Sequence, residues 1–297
     1  QRFVQAFEQG AGKMVHSQVK SDAFPLWTRL SVEGIEETAL GVRPEVARAV
    51  AVELLHTRIR AVELLCGWSQ AGECAVWICN TVQDAIESYD LLREQLGAQR
   101  VTLFHARAAL GDRLAVERDV VSRFGSVAAD GVRQGQVLVA TQVVEQSLDV
   151  DFDHMITDLA PIDLVIQRAG RLHRHQRDRE GRIASQGGRP PPVLHLLCPA
   201  DDAELGTSWP DEESCGRTRW VYRHTGQLYL TRQLLSEQGV ITMPGDARVL
   251  IEGVYGVDAQ DSIPEALQRV SDEADAQASA ARTVANFNQL KFSGGYM

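Results

Sequence analysis

The sequence predicts an α/β protein built on a parallel sheet, and three observations carry that expectation. Short apolar runs such as "CAVWICN" (74–80) lack the alternation of a half-exposed strand and read as strands covered on both faces. Stretches of helical spacing separate them. In "VQDAIESYDLLREQLG", Ile86, Tyr89, Leu92 and Leu96 share one face and Gly97 supplies the stop. The alternation then repeats along the chain, which implies right-handed crossovers between parallel strands.

Taken in order, "RFVQAFEQG" reads as a short helix and "FPLWTRLSV" as a strand after a loop. From Pro44 to about Cys66, Val46, Val50, Leu54, Leu55, Ile59, Val62 and Leu65 recur at helical spacing. They predict one long amphipathic helix with Pro44 near its first turn. Further strands are expected at "VTLFHA" (101–106), "QVLVAT" (136–141), "HMITDL" (154–159) and "PVLHLLC" (192–198). A helix bearing Leu114, Val120, Val121 and Phe124 ends at Gly125, and Pro161 opens another that fails near Gly170. Beyond Cys198 lies an acidic loop, then a turn and a helix in "RTRWVYRHTGQLYLTRQLLSEQG". An Ala-rich helix comes next from Ser262, with Pro264 at its first position, to about Asn286. The expected division is 1–43, the α/β domain over 44–200, and 201–297.

A net charge of −10 and a pI near 5.3 argue against a protein that coats nucleic acid by bulk charge, so any such contact needs a local groove. No apolar run approaches the ~20 residues of a membrane span. The opening "QRFVQAFEQG" lacks a signal peptide's layout and an initiator Met, and reads like a cut inside a longer chain. The five cysteines form no Cys-x-x-Cys pair and no zinc-ligand spacing, as expected of reduced thiols in a cytoplasmic protein.

Against that acidic background, "QRAGRLHRHQR" (167–177) gathers four arginines and two histidines. On the helix opened by Pro161, Ile162, Val165, Ile166 and Ala169 would face the sheet. At roughly 100° per residue, Gln167, Arg171 and Arg174 would then share the opposite side. Arginine's planar fork suits phosphate oxygens, and positive charge there can stabilise a transferring phosphoryl group. Upstream, Glu145, Asp149, Asp151 and Asp153 are read as balancing the adjoining arginines rather than as metal ligands, and Asp149 could also accept from a sugar hydroxyl. Ligands of open α/β sheets bind outside the carboxyl ends of the strands. Thr81, His105 with Arg107, and Thr141 with Gln142 all fall there. For Thr81, a capping box with Asp84 is an equal reading.

"VLVATQVVEQSLDVDFD", then a strand, then "LAPIDLVIQRAGRLHRH" resembles motifs V and VI of superfamily 2 helicases. More narrowly the chain is similar to the helicase-nuclease of type I CRISPR systems, with Ser147 where most of the superfamily has glycine. "ICNTVQDA" and "LFHARAALGDR" resemble that family's motif IV region. "VYRHTGQLYLTRQLL", "ITMP" and "IEGVY" are similar to the segment that trails the family's second RecA-like domain.

The resemblance implies a RecA-like helicase C-terminal domain with a partly helical extension. Residues 1–43 would be the tail of a first RecA-like domain, and 201–297 would lead to a further, incomplete domain. Arg171 and Arg174 would be arginine fingers on ATP, with Gln167 lining the cleft and Asp149 on the ribose. Thr81, His105, Arg107, Thr141 and Gln142 would touch the backbone of single-stranded DNA. ATP and Mg²⁺ would be held mainly by the first RecA-like domain, and any nuclease metal by a domain elsewhere. The partners implied are single-stranded DNA, that first domain and the CRISPR RNA-guided surveillance complex, Cascade. The implied activity is ATP-dependent DNA unwinding in CRISPR interference.

The sequence carries no G-x-x-x-x-G-K-[ST] loop. "FEQGAGKM" (7–14) has Phe7 in place of the first glycine and Met14 in place of the hydroxyl, and "DEES" (211–214) is preceded by no buried strand. The chain alone is therefore not expected to hydrolyse ATP. Two other readings remain open: a different superfamily 2 motor, such as an RNA helicase or restriction-type translocase, and a non-catalytic α/β binding module.

Overall fold

The structure, a computed structural model, describes residues 2–12, 18–31, 33–42, 47–145, 148–185 and 187–287. Pro44, Val46, Ser147, the "GKM" end of the rejected phosphate loop except Gly12, and "FSGGYM" lie outside them.

Two compact units divide the chain, one running up to Ala49 with Thr242–Leu250, the other Val50–Ile241 with the residues from Ile251 onward. The first holds helix α1 (Arg2–Gly10) and an antiparallel hairpin of β1 (Leu26–Ser31) and β2 (Gly34–Ala39), in register from Leu26↔Ala39 to Ser31↔Gly34. The Glu37 carboxylate accepts the N–H groups of Lys20 and Ser21 at 3.1 and 3.0 Å, tying the approach to the hairpin onto its second strand.

The second unit is built on the predicted alternation. β3 (Arg48–Leu55), α2 (Arg58–Gln70), β4 (Ala75–Ile78), α3 (Val82–Leu96), β5 (Val101–Phe104), α4 (Leu110–Phe124), β6 (Val137–Ala140), β7 (His154–Asp158), α5 (Ile162–Ala169) and β8 (Val193–Leu197) succeed one another. After them come α6 (Thr218–Val221), α7 (Thr225–Gln238), β9 (Val240–Met243), α8 (Ala247–Tyr255), α9 (Val257–Gln260) and α10 (Glu265–Phe287), with β9 and α8 each running across the division between the two units. The sheet order is β5-β6-β4-β7-β8-β3-β9, with every pair from β5 to β3 parallel. All residues of β4 and β6 are buried, as unbroken apolar runs require when helices cover both faces. Trp77 of β4 is fully buried beside Leu65, Val139 and Ile156, and its Nε1–H donates to Asp158 at 3.1 Å.

One element differs from expectation. Over its described residues, the stretch read as one long helix is strand β3 followed by helix α2. A spacing of four residues is two strand repeats as well as about one helical turn, so Val50 and Leu54 fit both periods. Pairing decides: β3 lies along β8 from Ala51↔Val193 to Leu55↔Leu197. The helix starts only after Thr57, whose hydroxyl caps the Arg60 N–H at 3.3 Å.

Elsewhere the expected stops hold. Thr81 caps α3, which ends at Gly97 with φ +84°, and α5 ends at Ala169. Strands β2 and β9 are additions that the sequence pattern does not signal.

Candidate functional site at the strand ends and the basic run

Because β5, β6 and β4 are adjacent and parallel, their carboxyl ends bring three separate sequence motifs into one row. Phe104 and Ile78 both pair with Ala140, so the residues just past each strand emerge together. His105 is half-buried and accepts the Arg107 N–H on Nδ1 at 3.2 Å, which leaves Nε2 as its hydrogen-bearing nitrogen when neutral. Arg107 is exposed. Thr141 is buried, and the Gln142 amide donates to the Asn80 carbonyl at 2.8 Å, joining the ends of β6 and β4. The Thr81 hydroxyl accepts the Asp84 N–H at 3.0 Å and donates to its carboxylate at 2.6 Å. The capping alternative for Thr81 is thus what the local geometry shows.

The basic run divides by direction. On α5, Ile162, Val165 and Ala169 are buried and Gln167 is exposed, as the sequence phase predicts, while Ile166, expected on the sheet side, is only half-buried. Arg168 is completely buried. Its Nε donates to Glu145 at 2.6 Å, and Nη1 donates to the Thr157 hydroxyl and the Asp158 carbonyl at 2.8 and 3.1 Å. Arg177 is also buried. It reaches Asp151 at 2.8 Å and the carbonyls of Gly125 and Gly181. Both arginines are structural, so the outward charge comes from Arg171 and Arg174.

Arg171 donates through Nη2 to the Glu145 carbonyl at 2.9 Å, and its buried Nε has no hydrogen-bond partner among the described residues. Burial and then the neighbouring Arg174 guanidinium pull its pKa down, although Asp149 and Glu145 oppose the shift. Arg174 is exposed and donates to Asp149 at 2.7 Å. That bond leads the effects that hold the Asp149 carboxyl below the usual carboxylate range. Arg174 is paired with Asp149, and Arg171 lies within electrostatic reach of both. Arg171 and Arg174 follow the end of α5, however, so the helical face expected to join them to Gln167 does not form. Arg171 is only partly outward.

The four acids balance arginines, as expected. Glu145 pairs with Arg168 and Asp149 with Arg174. Asp151, fully buried, takes Arg133, Arg177 and Arg189 at 3.1, 2.8 and 2.9 Å, and Asp153 takes Arg133 and Arg189 at 3.0 and 2.9 Å. The His175 N–H also donates to Asp151 at 3.1 Å, so this hub fixes the loop on the far side of Arg174. Among the described residues no cluster of His, Cys, Asp and Glu is placed to hold a metal ion, and no helix is long and apolar enough to cross a membrane.

Sequence reasoning missed Arg168 as a buried tie, and it missed Arg133, Arg189 and Tyr222. Arg133 and Arg189 stand in polar loops with no periodicity to mark them. Tyr222 comes directly after α6, and its hydroxyl lies 3.3 Å from the Gln142 amide and 3.4 Å from Arg168 Nη2.

A parallel sheet carrying polar strand ends and a terminal arginine run is the arrangement of a RecA-like helicase C-terminal domain, and solved structures agree. The crystal structure of T. fusca Cas3-ATP superposes with a TM-score of 0.76 at 27% identity, over 97% of this chain and 33% of that one. A chain of a CRISPR RNA-guided surveillance complex, pre-nicking, superposes with a TM-score of 0.72 at 26% identity, over 97% of this chain and 35% of that one. Residues 71–177 match the family model of the CRISPR-associated nuclease/helicase Cas3, C-terminal. The CRISPR-associated endonuclease/helicase Cas3 of Escherichia coli is 33% identical over 256 residues. That alignment takes in 82% of this chain and 27% of the relative, so the chain spans about a quarter of that protein. Residues 71–177 thus correspond to the C-terminal region of CRISPR-associated nuclease/helicases of the Cas3 type, and the chain as a whole is similar to the helicase C-terminal part of those proteins.

Proposed function

We propose that this chain is the second motor domain of an ATP-dependent single-stranded-DNA translocase that unwinds and helps degrade foreign DNA in type I CRISPR interference. The observation that carries the reading is the placement of Arg171 and Arg174 just past α5, close enough for one charge to depress the other's pKa, with Asp149 beside them. A triphosphate contributed by a neighbouring RecA-like domain would meet two guanidinium groups there.

The residues present fit such a ligand. The Arg171 Nε, unpartnered among the described residues, is a donor that a phosphate oxygen would complete, and exposed Gln167 stands on the adjoining turn. Asp149 accepts hydrogen bonds and suits a ribose hydroxyl. ATP with Mg²⁺ would supply the phosphoryl group, and this chain would contribute charge at its terminal phosphate. The exposed Arg174–Asp149 pair is no obstacle, since surface pairs are worth about 0–1 kcal/mol and a triphosphate carries far more charge.

Single-stranded DNA would cross the row formed by His105, Arg107, Thr141, Gln142 and Thr81. With Thr141 buried and the Thr81 and Gln142 side chains engaged, His105 and Arg107 are the side chains of this row left to meet phosphates. Recruitment by Cascade is proposed from the surveillance-complex neighbour.

The chain alone should not hydrolyse ATP. Joined to a first RecA-like domain of the family, it should give hydrolysis that single-stranded DNA stimulates more than single-stranded RNA does. No stimulation by either would contradict the motor reading, and stimulation by RNA alone would make it a different superfamily 2 motor.

A further inference from the structure

The two parts of the proposed site, the strand row and the arginine pair, meet at one turn. Residues Gln142–Glu145 form a single 3-10 turn after β6. At its start the Gln142 side chain belongs to the row. At its end the Glu145 carboxylate holds Arg168 at 2.6 Å and its carbonyl holds Arg171 at 2.9 Å. Tyr222 closes this into a ring. Its phenolic oxygen accepts from Gln142 Nε2 at 3.3 Å and from Arg168 Nη2 at 3.4 Å, so the circuit runs Gln142, the turn, Glu145, Arg168, Tyr222 and back.

Tyr222 comes from outside the 71–177 core that matches the family model. Its position is set by neighbours on the same segment. Arg217 pairs with Asp84 and Glu87, each at 2.7 Å, and the Thr218 hydroxyl accepts from Asn80 at 2.8 Å. Three successive attachments therefore seat this segment over the ends of β4 and β6.

We infer that Tyr222 is a positioning residue that couples the strand row to Arg171. A pull on Gln142 reaches Arg168 and Glu145 along both arcs of the ring, and Glu145 carries the Arg171 guanidinium. Without the phenolic oxygen, Arg168 Nη2 loses this acceptor, and among the described residues the Gln142 side chain keeps only its bond to Asn80. The turn can then move without carrying Arg168 with it. The inference rests on the motor reading. It adds that the segment after the sheet, and not the helicase core alone, transmits strand occupancy to the arginines.

The test uses the complete motor protein with oligo-dT and compares wild type, Tyr222→Phe, Gln142→Ala and the double variant. For Tyr222→Phe, the KM for ATP and the Kd for oligo-dT should stay within about twofold of wild type. The stimulation of ATP hydrolysis by oligo-dT should fall by about fivefold or more, the size of a modest coupling between sites. The double variant should lose no more stimulation than Gln142→Ala alone, because both changes break the same ring. Stimulation kept within twofold in Tyr222→Phe would overturn the inference, and so would losses that multiply in the double variant. A lowered Tm with stimulation intact would make Tyr222 a structural tie only, which also overturns it. A wild-type protein without stimulation would remove the motor reading and this coupling together, whereas a stimulated wild type separates the two.

Discussion

Arg174 donates to Asp149 at 2.7 Å, and the two side chains are 42% and 50% exposed. An ion pair in that setting is screened by water and adds little to folding. Its two members are nonetheless the groups proposed for the phosphate and ribose of one nucleotide. Asp149→Ala and Arg174→Ala should each change unfolding free energy by less than about 1 kcal/mol in urea melts. In the complete motor, Arg174→Ala should reduce DNA-stimulated ATP hydrolysis by roughly 10²-fold or more, in the range of a lost arginine finger.

Asp151 should behave in the opposite way. It is fully buried and compensates three arginines whose side chains are 3%, 2% and 8% exposed. Removing one partner of a buried ionic cluster leaves uncompensated charge, which costs about 3–5 kcal/mol. Asp151→Ala should therefore lose stability on that scale in chemical denaturation, whatever its effect on nucleotide.

His173 gives stability a pH dependence. Burial, followed by the Arg189 charge, pulls its pKa from 6.5 down to about 4, against opposing effects of Asp151 and Asp153. The unfolded chain therefore binds this proton more readily than the folded one. The stability from the neutral ring is fully present above about 6.5 and is lost as pH falls toward about 4. Burial also lowers the pKa values of His154 and His195, so they add to the loss on the same side of neutrality. His173 adopts φ +50°, which Asn tolerates. His173→Asn should flatten the profile by about one proton, or roughly 1.4 kcal/mol per pH unit, in melts between pH 7 and pH 4.

Gly135 has φ +65°, and a Cβ there would lie 2.8 Å from the Ser69 carbonyl oxygen. The Ser69 hydroxyl already donates to the Gly135 carbonyl at 2.6 Å, which fixes the approach. Gly135→Ala should destabilise by about 1–3 kcal/mol and lower Tm, with no direct effect on ATP turnover.

Much of this is legible in the sequence because burial on both faces leaves unbroken apolar runs, as in "CAVWICN" and "QVLVA". Turn chemistry likewise marks Thr81, Gly97 and the end of α5. The misread stretch is β3, where four-residue spacing satisfies strand and helix alike and only pairing with β8 separates them. The outward phase of Gln167 comes from helical geometry. Helical phase places Arg168 no better than partly, because its burial depends on Glu145, Thr157 and Tyr222, which lie far away in sequence. The three-arginine hub on Asp151 is equally hidden. Its three arginines all lie outside the helices and strands, and a charge run looks the same whether it is solvated or buried.

The motor reading is tested most directly by Arg171→Lys in the complete protein, with ATP hydrolysis measured at saturating single-stranded DNA. Lysine keeps the positive charge but lacks the guanidinium fork. Hydrolysis should fall by about 10²-fold or more while DNA affinity and Tm remain close to wild type. Turnover within a few-fold of wild type would show that charge alone suffices at this position, and would contradict a phosphate-contacting role for Arg171.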